Sequence, residues 1–341
     1  MRIAHPAHWL RPALVAGLIL LTVASVVRAS EPPRLTYPYA PYNGGKMDPQ
    51  LTGWPLTGEQ MAWVLKGEYT RKPGHEVDKH LPEMWFVTPT ASRWGKNPAV
   101  NDWVTHHGTL IDRVRAAGPA IDIALLGDSI TQGWGGGWDG MPVIAAWKKS
   151  FDGRKMVNLG IGGDRIEHIL WRLDHGALDG ASPKVIVLMI GVNNAPLVFA
   201  NGVPAIRAAE GIKLCLDNLR IRCPRAQIVL IKVLPAFDPT KETGKAVVDI
   251  NKALDHAGLD TDPHVHILDL TGDFTNPNET LKTELYSGDN LHISPAGYEV
   301  LSTRLKPLVD QLLDETGSPK APSALRPDAR PAAFAQPSAG A

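Results

Sequence analysis

From residue 121 onward the chain alternates short runs, apolar at nearly every position, with longer stretches in which apolar residues recur every three or four positions. The short runs are Ile121–Leu126, Met156–Leu159, Val185–Ile190, Ile228–Val233 and Val265–Leu268, each followed within two residues by Gly, Pro or Asp. The helical stretches fall at about 141–149, 164–174, 204–220, 243–256 and 296–314, with a lead-in helix over Trp103–Ala116. A strand covered on one face alternates apolar and polar residues, whereas one that is apolar throughout is covered on both. Five such strands separated by helices predict a three-layer α/β/α sandwich around a five-stranded parallel, flavodoxin-like sheet. In such a sheet the ligand lies at the carboxyl ends of the strands. Polar residues directly after the strands are therefore the candidates for chemistry.

The flanks read differently. Residues 30–99 are rich in Pro, Gly, Trp and Tyr and show little sustained periodicity, apart from a short helix near 58–65 with Met61, Ala62 and Leu65 on one face. This stretch is expected to wrap over the main domain at 100–316, and Trp54, Trp63, Trp85 and Trp94 are read as buried packing. Residues 317–341, with repeated Pro, Ala and Ser, read as a disordered tail. Arg2 and Arg11 precede the apolar run Leu14–Val27, and Val27 and Ala29 supply the two small residues that a signal peptidase reads. Residues 1–29 are thus expected to be a secretory signal cleaved after Ala29, giving a secreted or periplasmic protein with no stable membrane insertion after cleavage.

Lys+Arg and Asp+Glu balance at 35 each, so no net field draws nucleic acid or an anionic surface. Hydrophobic residues at 44% describe an ordinary globular chain. The cysteines are Cys215 and Cys223. Eight residues of straight helix would hold them about 12 Å apart, too far for a disulfide unless the chain folds back after Leu219. Two reduced thiols, with Cys215 in the core, is the preferred reading.

The first strand runs into Gly127-Asp128-Ser129-Ile130. A serine hydroxyl is a weak nucleophile until a base stands within hydrogen-bond reach, and Gly-Asp-Ser alone is an ordinary turn. Asp289-Asn290-Leu291-His292 lies just ahead of the last helix, which Ser294 caps and Pro295 opens. An aspartate three residues before a histidine can orient the ring and stabilise its charged form. Asn158 to Asp164, reading NLGIGGD, follows the second strand, and Gly191-Val192-Asn193-Asn194 follows the third. Ester hydrolysis needs donors aimed at a developing oxyanion. Gly163 leaves its backbone N–H approachable, and Asn193 adds a side-chain amide. Each piece alone is a structural turn. In order, each after a strand or before the last helix, they point to one site.

These pieces, GDS with Ser129, GIGGD with Gly163, GVNN with Asn193 and DNLH with Asp289 and His292, resemble the four blocks of the SGNH hydrolase superfamily. The stretch NLGIGGDRIEHILWRLDHGAL is similar to the branch of platelet-activating factor acetylhydrolase-like esterases. The resemblance spans residues 102–315 and implies the SGNH hydrolase fold. It also implies that Ser129 attacks the ester, His292 serves as base and Asp289 holds the ring. The oxyanion would meet the Ser129 and Gly163 N–H groups and the Asn193 amide. No metal or organic cofactor is implied. Val192 stands where this branch often has Thr, a position without essential chemistry.

Other constellations compete. Gly135 to Gly140 matches G-x-G-x-x-G, but the strand ends eight residues earlier and Asn158-Leu159 stand where a ribose-binding acid belongs. It reads as a rim loop, with Trp134 and Trp138 bordering the acyl or sugar pocket. Asp128 and Arg165 are further candidate substrate contacts, Arg165 with a surface salt bridge as its alternative. His264 and His266 share one side of a strand, but no Cys or third ligand accompanies them. They, and His75, His80, His106 and His107, are read as surface or packing residues. The function expected is an exported serine esterase cleaving short, acetyl esters of carbohydrates. The alternatives are a lipid or lysophospholipid esterase and an inactive carbohydrate-binding surface protein on the same scaffold.

Overall fold

Five parallel strands, β1 Ile123–Gly127, β2 Met156–Gly160, β3 Val185–Met189, β4 Gln227–Ile231 and β5 Val265–Leu268, lie in the spatial order β2-β1-β3-β4-β5. The computed structural model describes residues 42–43, 46–47, 92, 102–134, 145–201 and 203–316. The expected signal at 1–29, the helix at 58–65, most of the 30–99 extension, the rim loop at 135–140 with Trp138, and the tail at 317–341 lie outside the described residues. Within the extension, Tyr42–Asn43 pairs antiparallel with Lys46–Met47.

The helices among the described residues are α1 Asp102–Ala117, α2 Ser129–Gly133, α3 Ala145–Phe151, α4 Ile166–Asp174, α5 Ala195–Asn201, α6 Ala205–Arg222, α7 Glu242–Asp255, α8 Thr271–Phe274 and α9 Pro295–Thr316. The period of two along each strand sorts them into layers. Ala124 and Leu126 of β1, with Ile186 and Leu188 of β3, enter one core with Leu110 of α1, Ile169 of α4, Ile212 of α6 and Ile250 of α7. Ile123 and Leu125, with Val185 and Val187, enter the other with Phe151 of α3 and Leu301, Leu305 and Val309 of α9. The four-residue spacing on α9 is one helical stripe. Each fully buried aliphatic side chain contributes roughly 1.5–3 kcal/mol relative to exposure, so both helical layers hold the sheet.

The expected three-layer architecture and parallel sheet are present, with boundaries shifted by a few residues. Sequence periodicity missed α2, α5 and α8, which are too short to show a repeat. Helix α6 runs to Arg222, and the Cys223 N–H closes its last turn on the Leu219 carbonyl at 2.8 Å. Cys215 and Cys223 are both buried and unbridged. Among the described residues no helix is long and apolar enough to cross a membrane.

Candidate active site

β1 is an interior strand of the sheet, with β2 on one side and β3 on the other, and the strand order reverses at it. A crevice at the carboxyl ends of the strands forms at such a point. Gly127 of β1 is in register with Gly160 of β2. A Cβ on Gly160 would lie 2.2 Å from the Gln132 nitrogen, so its absence lets α2 sit directly on β2. Asp128 caps α2, its Oδ1 accepting from the Ile130 N–H at 3.0 Å. The Asn158 amide donates to the Thr131 and Trp134 carbonyls at 2.7 and 2.5 Å, and the Tyr298 hydroxyl donates to the Ile130 carbonyl at 2.8 Å. Ser129 is the first residue of this pinned turn and is 4% exposed.

His292 arrives from the loop before α9. With its proton on Nδ1, the imidazole donates to Asp289 Oδ2 at 2.6 Å and accepts from the Ser129 hydroxyl at Nε2 over 3.0 Å. The other Asp289 oxygen accepts from the Leu291 and His292 N–H groups at 3.0 and 2.8 Å. Burial works against the Asp289 charge, but the hydrogen bonds from His292 and from these N–H groups outweigh it and hold the carboxyl below its usual range. The loop is anchored from outside as well. The Phe237 N–H donates to the Asn290 carbonyl, and the Tyr286 hydroxyl donates to the Pro235 carbonyl. Phe237 and Asn290 both adopt left-handed backbone, at φ 60° and 53°.

The loops after β2 and β3 lie next to this line. Gly163 has φ 79°, a conformation glycine adopts without penalty. The Gly162 N–H donates to Gln132 Oε1 at 2.6 Å, tying the β2 loop to α2. Asn193 Nδ2 donates to the Asp164 carbonyl at 2.9 Å, which engages one of its two amide protons. Asn194 fastens the β3 loop to α4, accepting from the Ile166 N–H at 3.1 Å and donating to Glu167 at 3.0 Å.

Of the residues singled out in the sequence, Ser129, His292 and Asp289 thus meet in one hydrogen-bonded line. Gly163 and Asn193 stand on adjoining loops joined through Asp164. Three candidate substrate contacts are buried. The Trp134 indole is 1% exposed, donates to Ser302 Oγ at 3.2 Å and lies 5.9 Å from the Phe151 ring. Helix α2 makes little more than one turn, so by residue 134 the chain has entered the core under α3 and α9, and this indole is buried there. Arg165 is 1% exposed and paired with buried Glu167 at 2.6 Å, so it is neither a substrate contact nor a surface salt bridge. Asp128 is a buried cap whose carboxyl burial raises to about 7, with the nearby Asp164 charge adding to the rise. His264 Nδ1 lies 3.3 Å from Asp262 and His266 Nε2 lies 2.8 Å from Gln227. Among the described residues no three His, Cys, Asp or Glu side chains form a metal cluster.

Sequence reasoning missed a buried group beside the site. Asp164 is 0% exposed and accepts from Trp103 Nε1 and from Arg172 Nη1, both at 2.7 Å. Burial raises its carboxyl to about 6 against the opposing pull of Arg172. The partners that bury Asp164 come from 8 and 61 residues away, so no local pattern announces them.

Residues 125–300 match the GDSL-like Lipase/Acylhydrolase family. The human platelet-activating factor acetylhydrolase IB subunit alpha2 is 29% identical over 219 residues, which cover 64% of this chain and 88% of that protein. A solved lipase/acylhydrolase from Enterococcus faecalis is 22% identical with a TM-score of 0.44, covering 57% of this chain and 96% of its own. A solved acetyl xylan esterase, AlAXEase, is 20% identical with a TM-score of 0.45, covering 55% of this chain and 100% of its own.

Proposed function

The chain belongs to the GDSL-like lipase/acylhydrolase family and is an ester hydrolase, and from that premise we propose a serine acetylesterase with Ser129 as nucleophile, His292 as base and Asp289 as its orienting partner. The observation that carries the reading is the unbroken hydrogen-bond line from Asp289 through His292 to Ser129. Ser129 Oγ attacks the carbonyl carbon as His292 Nε2 takes its proton. The resulting oxyanion accepts from the Ser129 and Gly163 N–H groups and from the second amide proton of Asn193. His292 returns the proton to the departing alcohol, leaving an acetyl-enzyme. A water then gives a proton to His292 and attacks the acetyl carbon, and His292 passes that proton to Ser129 Oγ as the acyl bond breaks, releasing free Ser129 and acetic acid, which ionises to acetate. Every proton has a holder on this chain, so the cycle calls on no cofactor.

The acetyl group is supported by the name acetylhydrolase among the relatives. For the alcohol we propose a carbohydrate, on the ground that a secretory signal at 1–29 would deliver the enzyme to acetylated polysaccharide outside the cytoplasm. A lipid ester is the second reading, favoured by the word lipase in the family's description. Wild type and Ser129→Ala are compared on aryl acetate, butyrate and octanoate, on acetylated xylan and on a lysophospholipid. The expected result is fastest turnover of acetate, acetate release from xylan, and loss of several orders of magnitude in the variant. Preference for octanoate or lysophospholipid would replace the carbohydrate reading with the lipid one. More than about a tenth of wild-type turnover in Ser129→Ala would remove the nucleophile assignment.

A further inference from the structure

The hydrolytic cycle leaves the buried group around Asp164 without a part. Trp103, Asp164 and Arg172 are each 0% exposed. Trp103 belongs to α1, ahead of the family match that begins at residue 125. Its indole donates to Asp164 Oδ1, and Arg172 Nη1 donates to Oδ2, so both carboxylate oxygens are held. The second arm of the guanidinium, Nη2, donates to the Leu159 carbonyl at the end of β2. Leu159 and Asp164 bracket residues 160–163, so one guanidinium closes that loop across its base. The backbone carbonyl of the same Asp164 is the acceptor for Asn193 Nδ2 at 2.9 Å.

An amide is planar. Fixing one N–H of its NH₂ group therefore fixes the direction of the other. Whatever holds the Asp164 carbonyl consequently sets the aim of the amide proton left for the oxyanion. A donor is effective only when it already points where charge will develop. Burying an ion pair, by contrast, is a poor route to stability, since apolar side chains of similar volume often do as well. Orientation is what those apolar side chains would not supply.

We propose that Trp103 and Arg172 are positioning residues, which act through Asp164 to aim the Asn193 amide at the oxyanion. This rests on the reading of Asn193 as an oxyanion donor. The clamp extends the working site to α1.

The test is a double-mutant cycle on aryl acetate hydrolysis, with kcat and KM measured separately and folding checked by circular dichroism. Trp103→Phe deletes the indole N–H and keeps an aromatic ring against its neighbours. Arg172→Lys keeps the charge and loses the second arm. Each is made alone and together with Asn193→Ala. Asn193→Ala alone should lower kcat about 10²–10³-fold. Trp103→Phe should lower kcat about tenfold, with KM changed by less than about twofold, because misaim affects the transition state rather than ground-state binding. In the Asn193→Ala background that tenfold loss should vanish, since the donor being aimed is gone. Arg172→Lys should behave likewise with a larger loss. If Arg172→Lys does not fold, Trp103→Phe carries the test alone. Equal losses in both backgrounds, or unchanged kcat in folded Trp103→Phe, would overturn the proposal. Full turnover by Asn193→Ala alone would overturn the oxyanion reading itself, and that result is visible before any cycle is closed.

Discussion

Gly160→Ala should damage both stability and turnover, through contact rather than backbone conformation. The added methyl would lie 2.2 Å from the Gln132 nitrogen, 2.6 Å from its Cα and 2.7 Å from the Thr131 carbonyl carbon. Real Cβ contacts stop near 3.0 Å, so the nearest atom must retreat by about 0.8 Å. All three neighbours are backbone of α2, and no side-chain rotation can relieve them. Helix α2 is held by Asn158, by Tyr298 and by the Gln132–Gly162 bond, so a forced shift is shared by Ser129 and the β2 loop. Overpacking of this kind costs about 1–3 kcal/mol. For a domain of this size each kcal/mol lowers Tm by about 2–4 °C, giving a fall of roughly 2–12 °C. A misplacement near 1 Å at the reacting atoms costs about 10²-fold in rate. Aryl acetate kcat/KM and thermal unfolding followed by circular dichroism measure the two losses. Gly153→Ala is the control: φ is 78° there and nothing lies within 4 Å, so it should lower Tm and leave turnover alone. A Gly160→Ala enzyme within threefold of wild-type turnover at unchanged Tm would refute the reasoning.

Asp289→Asn should lower kcat on the order of 10³–10⁴-fold, by favouring the wrong imidazole tautomer, and a loss under tenfold would show that the ring is oriented without it. Trp134→Phe should lower stability by about 1 kcal/mol for its bond to Ser302 and leave the acetyl-to-octanoyl ratio unchanged; a relaxed ratio would return this indole to the acyl pocket. Asp128 gives a pH prediction. Its carboxyl rises from 3.8 to about 7 on folding, so the folded protein keeps a proton that the unfolded chain releases. That contribution is complete below the unfolded value and is lost as pH climbs through the folded one. The unfolding midpoint of Asp128→Asn should therefore gain on wild type between about pH 4 and 7 and then level off, and a constant gap over that range would exclude the shift. Asp164, raised to about 6, keeps some wild-type slope in the variant.

The architecture was legible in the sequence because strands covered on both faces must be apolar at consecutive positions, as Val185–Met189 is. The site was legible where side chains follow strands directly, which is why Ser129, Gly163 and Asn193 could be named. Asp289 and His292 were legible because they pair within one short loop. Legibility failed in two ways. Trp134 and Arg165 sit close in sequence to site residues, but a one-turn helix and a buried glutamate take them out of the crevice. Arg172 carries charge on a helix whose polar positions are buried, with Asp164 in the loop just before it, and a sequence does not mark which side of a helix faces water when both are covered.

The reach of the Ser129–His292 bond, 163 residues, also orders events in time. A ribosome adds about 5–20 residues per second, so Ser129 leaves it roughly 10–30 s before His292. His292 comes on the loop that opens α9, a 22-residue helix that also covers one side of the sheet through Leu301, Leu305 and Val309. Under the proposed roles, a nascent or clipped chain lacking this loop and α9 should be inert toward esters. Recovery of turnover during refolding would then clock the docking of the last helix.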